Sequence, residues 1–344
     1  MLQYQTIGFV YTRTCPLSCR HCIIESSPKA QGKMSKRAAE QYLTTIARFS
    51  KQVCFSGGEA LLYYHEVVDL IRTAKSLGLL TSVVSGAGWV RTDKAHIARE
   101  RVLGLKNAGL DSVCLSWDQY HEEFSPRENA ELLAALVVEH GIALTIRGVA
   151  PATQPKPYPT YMFDQPAEFR NLVQLGSARQ LPAAHFFAFE EPPYGTCDTV
   201  LSPVIEPDGN VYACCGPSRF SHESSPLVLG NTNEETLDAI LDRGMRDPLL
   251  RALNLVGPRG LYELLKATPE YAQFFRKRDH YGSICNVCMD MTDVPEIVAA
   301  LRARMSDMEG KAMLAAAEIR HKLGRVQNLP APAPRKLQEA HHVG

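Results

Sequence analysis

Three cysteines near the start of the chain have the spacing of a metal-binding loop. Cys15, Cys19 and Cys22 follow the pattern C-x3-C-x2-C. Three thiolates on one short loop can hold three irons of a [4Fe–4S] cluster and leave the fourth iron open to a small molecule. Zinc sites pair a C-x2-4-C segment with a second such segment, and no fourth ligand lies close by in this sequence. The spacing therefore predicts a cluster with one open iron that binds and activates a small molecule.

A second set of cysteines lies far along the chain. Two of them, Cys285 and Cys288, form C-x2-C, and the preceding Cys214 follows Gly209 in the pattern G-x4-C with Cys197 upstream. Four cysteines can ligate either an iron–sulfur cluster or a structural zinc ion. A second metal centre is expected from the residue types, and its metal stays open at this point.

Three cysteines remain outside these two sets. Cys54 and Cys114 fall inside predicted strands, where free cysteine usually packs as a small core residue. Cys215 directly follows Cys214, and neighbouring residues on an extended chain point in opposite directions. Cys215 is therefore expected to face a different space from Cys214. A cysteine packed beside the metal centre is the alternative.

The first half of the chain must position these residues, and its pattern is that of repeated strand–helix units. Apolar runs recur about every 30 residues with amphipathic helices between them, which predicts a parallel sheet with right-handed crossovers. The expected fold is α/β, an open (β/α)6 partial barrel, in which a proline-rich surface insertion at 151–166 delays the sixth strand. The predicted strands are residues 6–12, 52–55, 80–85, 112–116, 142–147 and 184–189.

From about residue 191 the pattern changes to a smaller α+β region. Apolar pairs at 204–206 and 211–213 flank Pro207–Asp208–Gly209–Asn210, which predicts a hairpin. A long helix is expected over 295–323. The predicted organisation is a barrel over 1–190, a C-terminal region over 191–325 and a disordered, Pro- and Ala-rich tail over 326–344.

Ligands of such sheets bind at the carboxyl ends of the strands. The cysteine loop follows the first strand, and Gly57, Gly58 and Glu59 follow the second. Polar residues also lie at the ends of the next three strands. They are Ser85 at the third strand, Ser116 and Asp118 at the fourth, and Arg147 at the fifth. The segment 118–124, rich in aromatic and charged residues, is a candidate wall of the substrate site or a solvated loop.

With these motifs the chain resembles the radical SAM superfamily, whose members use S-adenosyl-L-methionine (SAM). The resemblance implies that Gly57, Gly58 and Glu59 meet the methionine amino group. It further implies that Ser116 and Asp118 contact the ribose, that Arg147 meets the SAM carboxylate, and that Ser85 belongs to the same cofactor site. Helix capping by Ser116 or Asp118 and a surface ion pair for Arg147 are the alternatives. His21 replaces the family's usual aromatic residue before the last cysteine, so its contact with adenine is less certain.

The second half resembles a shortened SPASM or twitch domain. No cysteine follows Cys288, so the resemblance implies one auxiliary [4Fe–4S] cluster, fully ligated by Cys197, Cys214, Cys285 and Cys288. Full ligation favours a role in electron transfer or structure over substrate binding. A four-cysteine zinc site remains the alternative.

The combination resembles radical SAM peptide epimerases, which implies L-to-D inversion at Cα of a ribosomally made peptide with Cys215 as hydrogen donor. Oxidative peptide crosslinking or dehydrogenation, small-molecule chemistry, and a non-enzymatic electron or cluster carrier are the alternatives. The expected partners are a peptide precursor, or a small molecule, and an electron donor such as flavodoxin or ferredoxin. Because the chain starts almost at the first strand, recognition of a precursor is expected to use a separate precursor-recognition protein or direct pairing with an exposed strand edge.

Composition and charge narrow the classes of function and location that remain. The 344 residues carry 37 basic and 37 acidic side chains, so net charge gives no reason to expect nucleic acid. No apolar run approaches a membrane span, and the N-terminus lacks the pattern of a signal peptide. The chain has ten cysteines, and seven of them are clustered at metal-ligand spacings, which indicates a reducing, cytoplasmic location.

Overall fold

The computed structural model describes residues 3–276 and 278–327, and a single mixed sheet runs through them. The strands are β1 (Ile7–Thr12), β2 (Gln52–Gly57), β3 (Leu80–Ser85), β4 (Ser112–Ser116), β5 (Ala143–Ala150), β6 (Tyr161–Met162), β7 (Gln165–Asn171), β8 (Val204–Ile205), β9 (Asn210–Tyr212) and β10 (Val228–Asn231). Their order in the sheet is β10-β9-β8-β1-β2-β3-β4-β5-β7-β6. The six strands β1 to β5 and β7 are parallel, which confirms the partial-barrel fold.

Helices cover one face of the parallel strands and continue after the sheet. They are α1 (Lys36–Phe49), α2 (Tyr64–Ser76), α3 (Ala95–Ala108), α4 (Gln119–Glu122), α5 (Arg127–Glu139), α6 (Leu237–Arg246), α7 (Pro248–Leu255), α8 (Gly257–Lys266), α9 (Pro269–Ala272), α10 (Ile284–Thr292), α11 (Pro295–Ser306) and α12 (Met308–Gln327). In the described part of the chain, α1, α2, α3 and α5 are the crossover helices, and no α-helix joins β5 to β7. None of these helices is long and apolar enough to cross a membrane.

Strand alternation separates a core face from a concave face. Val113 and Leu115 of β4 are buried in the core, whereas Cys114 between them is half-buried. We call the opposite side, which carries Cys114 and Ser116, the concave face. The same alternation recurs in β2, β5 and β7, and side chains in register on neighbouring strands point to the same face.

The sixth parallel strand is not where the sequence predicted it. Residues 183–185 form a short 3-10 turn, and Phe189 makes only an isolated bridge to Tyr281. The sixth strand is β7, which begins inside the segment interpreted as a surface insertion and pairs with β5. Its sequence QPAEFRN alternates polar and apolar residues because the strand lies near the sheet edge, so it lacks the apolar run of a central strand.

A tight turn joins β6 to β7. Phe163 and Asp164 both have positive φ, 51° and 56°. Two consecutive positive φ values characterise the type I′ turn that connects antiparallel strands. The insertion therefore includes a hairpin that contributes to the sheet.

The second half of the chain extends the same sheet. β8 pairs in parallel with β1, and β9 pairs antiparallel with β8 through the turn at Gly209, whose φ is 89°. The long helix expected over 295–323 is divided into α11 and α12 at Asp307, whose side chain accepts the backbone N–H of Gly310 at 2.7 Å. Residues 328–344 of the predicted tail lie outside the described residues, and 326–327 belong to α12.

Candidate functional site

The first three cysteines lie on a loop between β1 and α1 that folds back on itself. The backbone N–H of Cys15 donates to the carbonyl oxygen of Ser27 at 3.1 Å, which closes the loop. The N–H groups of Leu17 and Ser26 point at the sulfurs of Cys15 and Cys22, at 3.4 and 3.3 Å. Such N–H donors stabilise thiolate ligands of iron–sulfur clusters.

Burial opposes ionisation of these thiols when no metal is bound. It raises the pKa of the Cys15 thiol to about 12, and it also raises the pKa of Cys19. Thiolate ligation of a metal displaces these protons, so metal binding at the loop is coupled to proton release.

The two glycines after β2 allow their loop to contact the cysteine loop. The N–H of Gly58 donates to the carbonyl of Thr12 at 2.6 Å, and that of Glu59 donates to Thr14 at 3.0 Å. A Cβ atom at Gly57 would lie 2.4 Å from the carbonyl oxygen of Thr12, and one at Gly58 would lie 2.2 Å from that of Thr14. Only glycine permits this approach, so the two predicted loops form one unit.

Glu59 presents a buried carboxylate in this unit. Its oxygens accept hydrogen bonds from the Ser85 hydroxyl at 2.8 Å and from the Leu61 N–H at 3.3 Å. Burial raises the pKa of Glu59 to about 7, although these hydrogen bonds oppose the shift. Within residues 3–276 and 278–327 no Lys, Arg or His forms an ion pair with it. The ammonium group of an amino-acid ligand would supply the missing cation.

Ser85 holds Glu59 rather than offering a free oxygen. Its hydroxyl donates to Glu59 and accepts from the Ala87 N–H and the Trp89 Nε1–H, both at 3.1 Å. The small residues beyond β3 leave space for the cysteine loop, since Gly88 lies under Pro16 and Leu17. The end of β3 therefore orients Glu59 through Ser85 and does not itself offer a group to a ligand.

The pKa of Glu59 leads to a testable pH dependence of ligand binding. Ligand ammonium requires the ionised carboxylate, so the affinity for SAM is expected to fall as the pH drops below about 7. Between about pH 8 and about pH 6, the dissociation constant should rise roughly tenfold, since one pKa unit corresponds to a factor of ten. Equilibrium dialysis at several pH values measures it. A Glu59→Gln variant should bind weakly with no such slope, and a flat profile for the unmodified protein would contradict this role.

Asp118, which follows β4, is buried and contacts neighbouring residues through its carboxylate. One oxygen accepts the Nδ1–H of His121 at 2.8 Å, and the other accepts the N–H of Val149 at 2.9 Å and lies 3.5 Å from His21 Nε2. Burial raises its pKa, but the hydrogen bond and charge of His121 outweigh this and lower it to about 2. Both carboxylate oxygens therefore accept hydrogen bonds from the protein. Asp118 caps the N-terminus of α4 and orients the imidazoles of His121 and His21.

The two imidazoles lie against the cysteine loop. His21 stacks on Tyr120 with ring centroids 5.1 Å apart, and burial lowers its pKa to about 4, so it is neutral at pH 7. Ligand atoms of Cys19, His21 and His121 lie within 4.8 Å of one another. The sequence placed His121 only in a candidate substrate loop. The spacing D-x2-H at the end of a strand could have predicted the hydrogen bond between His121 and Asp118.

Ser116 and Arg147 are neighbours on the concave face. They are paired in register between β4 and β5, and Arg147 pairs in turn with Glu168 of β7, with an Nε–Oε2 distance of 3.3 Å. The expectation that Cys54 and Cys114 belong to the core is wrong. Both are half-buried on the concave face, where the charge of Arg147 opposes the rise in their pKa values caused by burial.

The four later cysteines converge at a second centre. Cys285 and Cys288 lie on the first turns of α10, and the pKa of each thiol is raised first by burial and then by the proximity of Cys197 and Cys214. The side chain of Asn254 holds the carbonyl of Cys197 at 2.8 Å. These side chains come from separate segments of the chain, which the fold brings close enough for the thiols to influence one another's pKa values.

Cys215 directly follows Cys214 of that set and differs from it in burial. It is exposed to solvent, whereas Cys214 is buried. Burial by surrounding protein atoms raises the pKa of the Cys215 thiol, and the charges of Arg219 and Arg170 lower it. The thiol of Cys215 is therefore open to solvent while the neighbouring Cys214 is not.

Comparison with known protein families matches both halves of the chain. The family described as the radical SAM superfamily matches residues 9–148, and an iron–sulfur cluster-binding domain named SPASM matches residues 197–289. The first match includes the cysteine loop and the glycine loop. The second begins at Cys197 and ends one residue after Cys288.

Two curated relatives are similar to this chain. A putative peptide biosynthesis protein, YydG, of Bacillus subtilis (strain 168) is 21% identical over 301 residues, covering 83% of this chain and 91% of its own. A PqqA peptide cyclase of Rhodopseudomonas palustris is 32% identical over 111 residues, covering 31% of this chain and 26% of its own. Among solved structures, anSMEcpe with bound AdoMet superposes with a TM-score of 0.50 at 13% identity, covering 94% of this chain and 100% of that chain.

Proposed function

Because the chain belongs to the radical SAM superfamily and carries a SPASM domain, we propose that it inverts an α-carbon of a ribosomally made peptide from L to D. The observation that carries this proposal is the exposed thiol of Cys215, which directly follows the buried Cys214 of the second set of cysteines. An exposed thiol in the C-terminal half can donate a hydrogen atom to a substrate radical that is formed at the cysteine loop of the N-terminal half.

The residues of the site fit the cofactors of these two domains. Cys15, Cys19 and Cys22 provide three thiol ligands for the SAM-binding [4Fe–4S] cluster, and the SPASM half provides ligands for auxiliary iron–sulfur binding. With these groups bound, the site supplies a 5′-deoxyadenosyl radical that removes a hydrogen atom from the substrate. The cofactor performs the difficult chemistry, and the protein supplies binding and orientation.

In this proposal, different residues of the chain bind different parts of SAM. Glu59, held by Ser85, receives the methionine ammonium, while Gly57 and Gly58 bring its loop against the cysteine loop. Arg147 faces the SAM carboxylate from β5, oriented by Glu168. Ser116, in register with Arg147, and Asp118 lie on the ribose side, Asp118 acting through His21 and His121.

Cys215 completes the proposed inversion. Removal of the Cα hydrogen yields 5′-deoxyadenosine and a substrate radical. Homolysis of the Cys215 S–H bond then transfers a hydrogen atom to the opposite face of Cα. The resulting thiyl radical is restored to a thiol by one electron and one proton, for which an external donor such as flavodoxin or ferredoxin is the proposed source.

A peptide substrate is supported by the name of the relative that spans most of the chain, a putative peptide biosynthesis protein. The proposed partners are a precursor peptide and, for its delivery, a separate recognition protein. Oxidative crosslinking is the second candidate, because the auxiliary centre could accept the electron that a crosslinking radical must lose.

Turnover in D2O separates these reactions. The reconstituted enzyme, SAM, a reductant and a precursor peptide encoded beside the gene are incubated, and the product is analysed by mass spectrometry and chiral amino-acid analysis. Inversion predicts one deuterium at Cα of a D-residue and no mass change in H2O. Loss of two hydrogens without a D-residue would replace inversion by crosslinking or dehydrogenation.

Metal analysis tests the second centre. We expect about eight irons per chain after anaerobic reconstitution, since each cubane holds four. Replacing Cys285 and Cys288 by alanine should lower this to about four, and a matched variant with Cys15, Cys19 and Cys22 replaced should also retain about four. One equivalent of zinc that disappears with Cys285 and Cys288 would show a structural zinc site instead.

A further inference from the structure

The side chains around Cys19 form a second group of possible metal ligands, which shares only this cysteine with the first set. Ligand atoms of Cys19, His21 and His121 lie within 4.8 Å of one another, and Cys15 and Cys22 are not members of the group. Cys19 and His121 are buried, and the side chain of His21 is 13% exposed. The group therefore lies inside the fold, where a polar atom without a partner is costly.

The spacing of these three atoms suits a single ion. Ligand atoms on one tetrahedral zinc ion lie about 3.3–3.8 Å apart, because zinc–nitrogen and zinc–sulfur bonds are about 2.0–2.3 Å long. The thiolates of a [4Fe–4S] cluster bind different irons and therefore lie further apart. The ligand atoms of Cys19, His21 and His121 need to approach one another by only about 1 Å to share one ion.

Asp118 leaves one nitrogen of each imidazole free for a metal. The Nδ1–H of His121 donates to one carboxylate oxygen at 2.8 Å, so Nε2 of this ring carries the lone pair. Nε2 of His21 lies 3.5 Å from the other oxygen, and its Nδ1 is buried without a hydrogen-bond partner among the described residues. Histidine ligands of metals typically have such a carboxylate at their second nitrogen, which fixes the tautomer and the orientation of the ring.

Aromatic neighbours hold both rings in place. His121 stacks on Trp117 with ring centroids 6.1 Å apart, and His21 stacks on Tyr120 at 5.1 Å. Trp117 and Tyr120 are both buried. Glycine at position 86 keeps side-chain atoms away from Nε2 of His121, since a Cβ there would lie 3.6 Å from that nitrogen. The ligand group is therefore ordered before an ion binds, which lowers the entropic cost of binding.

We propose that Cys19, His21 and His121 bind a single zinc ion in the chain that lacks the SAM-binding cluster. One thiolate and two neutral imidazoles are a donor set that zinc favours, and they leave the fourth position to water. Binding releases the proton of the Cys19 thiol to solvent, whereas each imidazole uses a lone pair and loses no proton. Because Cys19 is also a proposed ligand of the cluster, the zinc ion and the cluster exclude each other.

Zinc binding is tested in the full chain with Cys15→Ala and Cys22→Ala. These substitutions prevent assembly of the SAM-binding cluster and keep the three proposed zinc ligands, and reconstitution first fills the auxiliary centre with iron. Zinc is then added, unbound metal is removed by gel filtration, and bound zinc is quantified by mass spectrometry. We expect about one zinc per chain, and X-ray absorption should show about one sulfur at about 2.3 Å and two nitrogens at about 2.0–2.1 Å.

Three variants and one control in that background make the result specific. His121→Ala and His21→Ala each remove a ligand, and Asp118→Asn removes the carboxylate behind both rings with little change in size. Each should raise the dissociation constant for zinc at least about tenfold, the scale on which loss of a supporting carboxylate alone acts. His96→Ala is the control, since His96 is exposed on α3. Circular dichroism verifies the fold, and Asp118→Asn supplies the test if loss of an imidazole prevents folding.

Exclusion of the cluster is measured in the chain with Cys285→Ala and Cys288→Ala, in which we expect the SAM-binding cluster alone. One equivalent of zinc added before reconstitution should lower the iron content from about four per chain to near zero. Adding His121→Ala to this chain should restore most of the iron. A block of cluster assembly that persists without the imidazole would contradict the inference, because the zinc would then be held by the cysteine loop.

The zinc-binding experiment can also overturn the inference directly. Absence of bound zinc, a zinc ion with sulfur ligands only, or equal affinity after His21→Ala, His121→Ala and His96→Ala would each do so. None of these outcomes bears on the proposed inversion, since they concern the chain before the SAM-binding cluster is assembled.

Discussion

Replacing Cys215 by alanine should abolish D-residue formation and leave SAM cleavage in place. The exposed thiol of Cys215 belongs to neither set of proposed ligand cysteines, so its loss removes a hydrogen donor and no proposed metal ligand. The D-residue should then be absent from the product or present only as a trace, because the substrate radical has lost its proposed hydrogen donor. Chiral amino-acid analysis and quantification of 5′-deoxyadenosine measure the two effects separately.

The concave face supplies its own controls for this variant. Cys54 and Cys114 are also free, half-buried thiols on that face, and Cys54 is close enough for Cys215 to influence its pKa. Cys54→Ser and Cys114→Ser should form the D-residue at nearly the normal rate. A D-residue product from the Cys215→Ala enzyme would end the donor role, and equal losses in all three variants would indicate damage to the cavity instead.

Gly58→Ala should separate the glycine loop from the cysteine loop. Its Cβ would lie 2.2 Å from the carbonyl oxygen of Thr14, and backbone atoms cannot move aside as the end of a flexible side chain can. The hydrogen bonds of Gly58 and Glu59 to Thr12 and Thr14 would break. We expect unfolding free energy to fall by about 1–3 kcal/mol, the usual cost of overpacking.

Ligand binding should suffer more than stability in this variant. Displacement of Glu59 removes the proposed partner of the SAM ammonium, so the dissociation constant should rise at least about tenfold, corresponding to about 1.4 kcal/mol. Gly78→Ala is the control, because nothing lies within 4 Å of its Cβ and only its φ of 77° is unfavourable. Normal SAM binding by Gly58→Ala, measured by dialysis and by the change in the cluster's EPR signal, would refute the coupling of the two loops.

Strand positions could be predicted where a strand is central in the sheet. β3 and β4 have the predicted bounds, because both of their neighbours and a covering helix require an apolar run. The sixth strand could not be predicted, since β7 lies near an edge and carries Glu168 and Arg170 on its concave side. The segment 184–189 has more apolar character and so resembles a strand, but it lies outside the parallel sheet.

The sequence by itself determined the chemistry of the ligands. Thiols at C-x3-C-x2-C, the glycines before Glu59 and the later C-x2-C are local patterns whose meaning depends on residue type and spacing along a short segment. The tertiary structure decided which way side chains face. Cys54 and Cys114 line the concave face instead of the core, because strand register depends on pairings between distant segments.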